Sequence, residues 1–225
     1  RSFHVTGVQT CALPIYGAVD NASGTAGLLE LANYFSNIET ERSLLFLAVT
    51  AEESGLLGSQ YFAEYPPIKL SNIVAGYNFD ASLPVGKTRD VIVVGYGASE
   101  LEDILKAELD KVGRYIVPDP QPEKGFFYRS DHISFAKKGV PMLYADGGFD
   151  KIDGGKEAGR AFGDEYTAKY YHQPSDEYDP DWDLSGFADQ LTLTTKMVKY
   201  LADSDRWPEW YEGNEFKSIR EESRK

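Results

Sequence analysis

Apolar runs that stop on an acid constrain this chain more than any other feature. Ser43-Leu44-Leu45-Phe46-Leu47-Ala48-Val49-Thr50 leads into Glu52 and Glu53, and Asn72-Ile73-Val74-Ala75-Gly76-Tyr77-Asn78-Phe79 leads into Asp80. Near-continuous apolar segments of strand length belong to strands buried on both faces, the habit of parallel sheets in α/β proteins. In such sheets functional groups collect outside the carboxyl ends of the strands. A third acid, Asp20, stands among small residues in Gly17-Ala18-Val19-Asp20-Asn21-Ala22-Ser23-Gly24. Acids placed this way suit a metal site better than a solvated helix face.

The rest of the chain alternates helices with strands. A helix is expected from about residue 25 to 37, capped by Asn21 or Ser23, and a short one over 57–65 that stops at Pro66-Pro67. Residues 91–96 read as a strand and 100–112 as a helix with Leu101, Ile104, Leu105 and Leu109 on one face. Proline and glycine make 115–128 a loop. A short helix over 131–138 and a strand over 140–145 follow, then a second long loop over 147–163 and a final helix over 184–203. The charged segment 206–225 is expected to be a tail on the surface. The pattern predicts an α/β fold, a three-layer α/β/α sandwich with a mixed, mostly parallel central sheet.

Composition limits the function classes. With 225 residues, 42% of them hydrophobic and 13% aromatic, the chain can bury one sizeable core, so a single globular domain is expected. A formal net charge of −13 repels polyanions and argues against nucleic acid or an anionic membrane as partner. No apolar run approaches the roughly 18 residues that span a bilayer, and the N-terminus lacks the basic-then-apolar layout of a signal peptide. The single cysteine, Cys11, excludes an internal disulfide framework and a thiolate zinc site. A metal must therefore sit on oxygen and imidazole.

Residues 1–16 stand apart. Val5-Thr6-Gly7-Val8-Gln9-Thr10-Cys11-Ala12-Leu13-Pro14-Ile15 resembles the conceptual translation of a short-read sequencing adapter, and Arg1-Ser2-Phe3-His4 fits the adapter's upstream stem and index. The segment is expected to be non-native, with the authentic domain over 17–205 and its natural upstream part lost. The alternative is an ordinary apolar strand.

Hydrolysis of a peptide bond at neutral pH needs an activated water, a polarised carbonyl and a base that serves the leaving amine. Zinc supplies the first two and an unligated carboxylate the third. Two metals about 3.5–4 Å apart need a shared carboxylate, for which Asp20 is the candidate. A regular strand would point Glu52 and Glu53 to opposite faces; their place past the strand end, before Gly55, lets both approach one site. One can then bind metal while the other holds water. Asp80 and His172 complete an oxygen and imidazole set suited to zinc or a related divalent ion. Each residue has a plainer alternative: a helix cap for Asp20, a solvated pair for Glu52 and Glu53, a turn for Asp80 and a loop histidine for His172. Their joint occurrence favours function. Arg129, Asp131 and His132 are further candidates for substrate binding or support, with His132 either stabilising an oxyanion or capping the helix that follows. Tyr128, with Phe126 and Phe127, either lines a specificity pocket or packs.

Read together and in order, the Asp20 segment, Glu52-Glu53-Ser54-Gly55-Leu56-Leu57-Gly58-Ser59, Asn78-Phe79-Asp80, Arg129-Ser130-Asp131-His132 and Tyr171-His172-Gln173-Pro174-Ser175-Asp176 resemble the M28 family of zinc metallopeptidases, which includes bacterial aminopeptidases. The resemblance spans residues 17–205. It implies that Asp20 bridges two zincs, that Glu53 and His172 complete one, that Asp80 serves the other and that Glu52 is the general base. It also implies a cis peptide bond between Asp20 and Asn21, a peptide substrate, and an intact parent that is periplasmic or secreted. The chain departs from the family in one place. The family carries a further zinc-binding histidine in a His-x-Asp motif upstream of the bridging aspartate, whereas His4 is followed by Val5 and Thr6. Two zincs are therefore expected in the intact parent and one or none in this chain, with impaired activity. A non-catalytic binding domain, a glutaminyl cyclase-like reaction with a single zinc, and a carboxypeptidase using Lys124 or Arg129 against acidic C-termini are the alternative readings. Independent long reads across the source locus should not reproduce Val5 to Ile15; recovering those residues would remove the adapter reading.

Overall fold

The computed structural model describes residues 2–9 and 16–225, and of residues 2–9 the backbone alone. The adapter-like residues 10–15 and Arg1 lie outside the described residues. Six strands form one sheet: β1 (Ser2–Gln9), β2 (Ser43–Thr50), β3 (Ile73–Phe79), β4 (Asp90–Val94), β5 (Tyr115–Pro118) and β6 (Met142–Gly147), in the order β2-β1-β3-β6-β4-β5. All neighbours run parallel except β4 and β6, which makes the sheet mixed and mostly parallel. The backbone of 2–9 fills the slot between β2 and β3, with His4 opposite Leu45 and Gly76. That pairing uses main-chain groups, which a β-prone segment supplies whatever its origin.

Helices cover both faces. On one, α1 (Gly24–Phe35), α3 (Leu101–Asp110) and α6 (Ser185–Ala202) close over Val74, Tyr77, Val91 and Leu143. On the other, α2 (Leu57–Glu64) meets α4 (His132–Ala136), and Phe135 joins Ile73, Val140 and Met142 with Phe62 against them. Every residue of β3 is buried, the sandwiched central strand that its apolar run predicts. In α3, Leu101, Ile104, Leu105 and Leu109 face the core, and the Glu102 carboxylate turns back to accept the N–H groups of Gly97 and Ala98.

Three expectations need correction. The loop expected over 147–163 is in large part α5 (Gly155–Lys169). Its glycines are there for close packing: a Cβ on Gly159 would meet the Phe149 carbonyl oxygen at 2.1 Å, and one on Gly163 would meet the Phe149 ring at 2.8 Å. The loop expected over 115–128 begins as β5, an edge strand that tolerates Pro118. The tail also departs from expectation, because Trp210 and Phe216 bury 99% and 96% of their surface. The Trp210 indole donates to the Gly139 carbonyl at 3.0 Å, Tyr211 N–H donates to Ala98 at 2.9 Å, and α7 (Lys217–Ser223) carries Arg220, which donates to the Ile73 carbonyl at 2.6 Å. Charge composition hid two aromatic anchors. Trp210→Ala should therefore cost about 3–5 kcal/mol in a denaturant titration, the magnitude of an emptied core position rather than of a solvated tail.

Candidate metal centre

The carboxyl ends of β2 and β3 and two loops meet on one edge of the sheet. Asp20 lies in an irregular turn over Ala18–Ser23 and is 8% exposed, and its bond to Asn21 is cis. The Asn21 amide secures that turn, donating to the Phe79 carbonyl at 3.0 Å and accepting Gly24 N–H at 2.9 Å. The second bond satisfies the first N–H of α1, whose N-cap residue Ser23 makes no side-chain capping bond, and the first ties the Asp20 turn to the end of β3. The Ser23 hydroxyl instead donates to Val19 and accepts from Ser82 N–H.

Glu52 and Glu53 sit in the turn between β2 and α2, where Ala51, Gly55 and Leu56 have positive φ of 58°, 101° and 61°. The Glu52 carbonyl accepts the N–H groups of Gly55 and Leu56, so the chain reverses at once. Gly58 lets α2 press against the strand end, since a Cβ there would meet Thr50 backbone at 2.4 Å. Asp80 follows β3 directly, and its carboxylate accepts the Ser130 hydroxyl at 2.6 Å. Ser130 in turn accepts from Asn78 at 2.8 Å. His172 has φ 58°, and Tyr171 stacks on its ring at 3.8 Å.

Asp20, Glu53 and His172 converge, with one ligand atom from each within 4.8 Å of the others. The His172 Nε2 is 3.2 Å from Asp20 Oδ2 and 3.0 Å from Glu53 Oε1. Asp80 stands outside this trio, yet its charge acts on both Asp20 and Glu52. Burial, followed by the charges of Asp80 and Glu53, raises Asp20 to about 8. Glu52 also rises to about 8, again by burial and then by Asp80. Burial takes Asp80 to about 7 against the pull of Ser130, and Asp131 to about 6. A set of desolvated carboxyl groups that hold protons against their nature is an environment a divalent cation can neutralise, and two carboxylates with one imidazole suit zinc. The donor set therefore fits the metal.

The other candidates divide. Arg129 is exposed near Tyr171, whose hydroxyl burial pushes up against the pull of the Arg129 charge. Tyr128 is 55% exposed and donates to Glu215 at 2.8 Å, which ties its loop to the C-terminal segment. Asp131 and His132 are fully buried. The His132 ring packs edge-on between Phe127 and Tyr144, has no hydrogen-bond partner among the described residues, and is held neutral by burial, which lowers it to about 3. It faces protein, not solvent. Asn21 and Ser130 position two of the acids; both lie inside the quoted motifs, and only their partners, distant in sequence, reveal what they do.

A model of peptidase family M28 matches residues 4–195. The chain belongs to this family. Among M28-type relatives, leucine aminopeptidase 2 of Arthroderma otae is 30% identical over 176 residues, covering 72% of this chain and 34% of that protein. A probable zinc metalloprotease of Pyrenophora tritici-repentis is 42% identical over 64 residues, 28% of this chain and 15% of that one. The chain thus spans about a third or less of these relatives. The zinc aminopeptidase BSAP of Bacillus subtilis shares the fold with a TM-score of 0.69 at 19% identity, over 95% of this chain and half of that one. Glutaminyl cyclase of Porphyromonas gingivalis shares it at 0.55 and 16% identity, over 88% and 69%.

In the metal-free protein Asp20 and Glu52 keep protons to about pH 8, while the unfolded chain releases them near 3.8 and 4.5. Between those limits the folded state binds more protons than the unfolded. Its stability is therefore full in acid and falls as pH rises towards 8. Thermal unfolding of chelator-treated protein should show a decline in Tm across this window, and zinc added at pH 8 should restore Tm with release of protons.

Proposed function

We propose that this chain is the catalytic region of a zinc-dependent exopeptidase, an aminopeptidase that removes N-terminal residues from peptides. The observation that carries the reading is the convergence of Asp20, Glu53 and His172 beside Glu52, a carboxyl group outside the trio. Asp20, Glu53 and His172 would hold a zinc, and Asp80 would serve a second. When bound, zinc lowers the pKa of water and polarises the scissile carbonyl. Glu52 acts as the base: its carboxylate takes the proton of the attacking water and passes it to the nitrogen of the leaving amine as the carbon–nitrogen bond breaks. Burial first, and then charges led by Asp80, hold a proton on Glu52; a divalent cation in the site would offset the charge part and favour the carboxylate that the base role needs. Exposed Arg129, close enough to Tyr171 for its charge to act there, would meet the peptide. The family resemblance also supports a periplasmic or secreted location.

One observation favours a second reading. Among the described residues a single three-ligand group stands, with Asp80 outside it, as a single-zinc glutaminyl cyclase-like reaction would require. Zinc per chain and the product from an N-terminal glutamine peptide separate the two: free amino acid for the aminopeptidase, a cyclised terminus for the alternative. Glu52→Gln should lower turnover of aminoacyl substrates by roughly 100- to 10,000-fold with zinc content unchanged. Activity indifferent to Glu52 overturns the mechanism.

A further inference from the structure

Asp176 closes the last of the motifs quoted above, four residues after His172, and none of the chemistry above uses it. It is 2% exposed. Its carboxylate accepts Val19 N–H at 3.1 and 3.3 Å, Asp20 N–H at 3.1 Å and the Tyr166 hydroxyl at 3.3 Å. Its backbone carbonyl accepts Ala18 N–H at 3.0 Å. Three successive N–H groups of the Asp20 turn therefore go to one residue more than 150 positions away, as the separation of 157 between Val19 and Asp176 shows. The ligand side chains meet on the other side of the same junction, with His172 Nε2 at 3.2 Å from Asp20 Oδ2. A closed ring results, running from the Asp20 side chain through the imidazole and residues 172–176 to the Asp176 carboxylate and back to Asp20 N–H.

We propose that Asp176 is the positioning residue of the metal centre, holding the Asp20 and His172 loops at ligand distance before the cation arrives. The inference rests on the zinc reading above. Charge-assisted bonds to backbone N–H groups are the strong class of hydrogen bond, and removing the acceptor would strand buried donors. A neutral acceptor would join the loops without setting another negative charge beside a ligand carboxylate. The carboxylate also deepens the negative field into which the cation binds, so one group supplies geometry and attraction together.

The test compares zinc affinity by chelator competition, and the absorption spectrum of the cobalt(II) form, in the unaltered chain, Asp176→Asn, Asp176→Ala and Leu105→Ala. Leu105 is fully buried in the main core, away from the site, and its variant reports loss of stability alone. The expected result is zinc affinity roughly 10- to 100-fold weaker in both Asp176 variants, the usual effect of losing support behind a ligand, with a changed cobalt spectrum. Leu105→Ala should keep the affinity of the unaltered chain. Folded Asp176 variants with unchanged affinity and spectrum overturn the proposal. So does failure of both to fold where Leu105→Ala folds, which would make Asp176 a folding element only. An unaltered chain that takes up no zinc removes the metal reading itself, and the inference with it.

Discussion

Repulsion among carboxyl groups is the force that the rest of this structure contains. Asp20, Glu52, Glu53 and Asp80 share one edge of the sheet, and burial and mutual charge push Asp20, Glu52 and Asp80 towards the protonated state. Left to solvent they would move apart. Local anchors keep them together: Asn21 on the Phe79 carbonyl, the tight reversal around Glu52, Ser130 on Asp80 and Asp176 on the Asp20 turn. Three are short polar side chains satisfied by backbone or by another short side chain, and the Glu52 reversal is backbone to backbone. The site is thus a preformed cluster of crowded carboxyl groups, and a cation entering it would relieve a cost already met by the fold.

Much of this was legible in the sequence because period and position carry strong signals. An unbroken apolar run marks a buried parallel strand, and β3 is buried at every residue. The acids after β2 and β3 were placed correctly because a chain leaving such a strand must turn at its carboxyl end. Family membership followed from motifs in order, and the residue 4–195 match supports the same assignment. What escaped was packing between distant segments. The glycines of α5 look like a loop until Phe149 is seen against them, and a charged C-terminal stretch looks solvated until Trp210 finds Gly139. The surroundings of His132 were equally hidden: the sequence left it between a chemical role and a helix cap, and only the fold shows its buried ring packed on Phe127 and Tyr144.

Helix α5 has a consequence that reaches the metal edge. It ends at Lys169 and leads directly into residues 170–172, so the backbone that presents the His172 imidazole to Asp20 and Glu53 continues from a helix packed closely on Phe149. That closeness is set by what Gly159 and Gly163 lack. The segment that carries His172 thus starts from a helix whose seat is fixed about a dozen residues upstream. Larger residues at Gly159 or Gly163 would push the helix off Phe149 and shift the segment that carries His172, with no change to Asp20, Glu53 or His172 themselves.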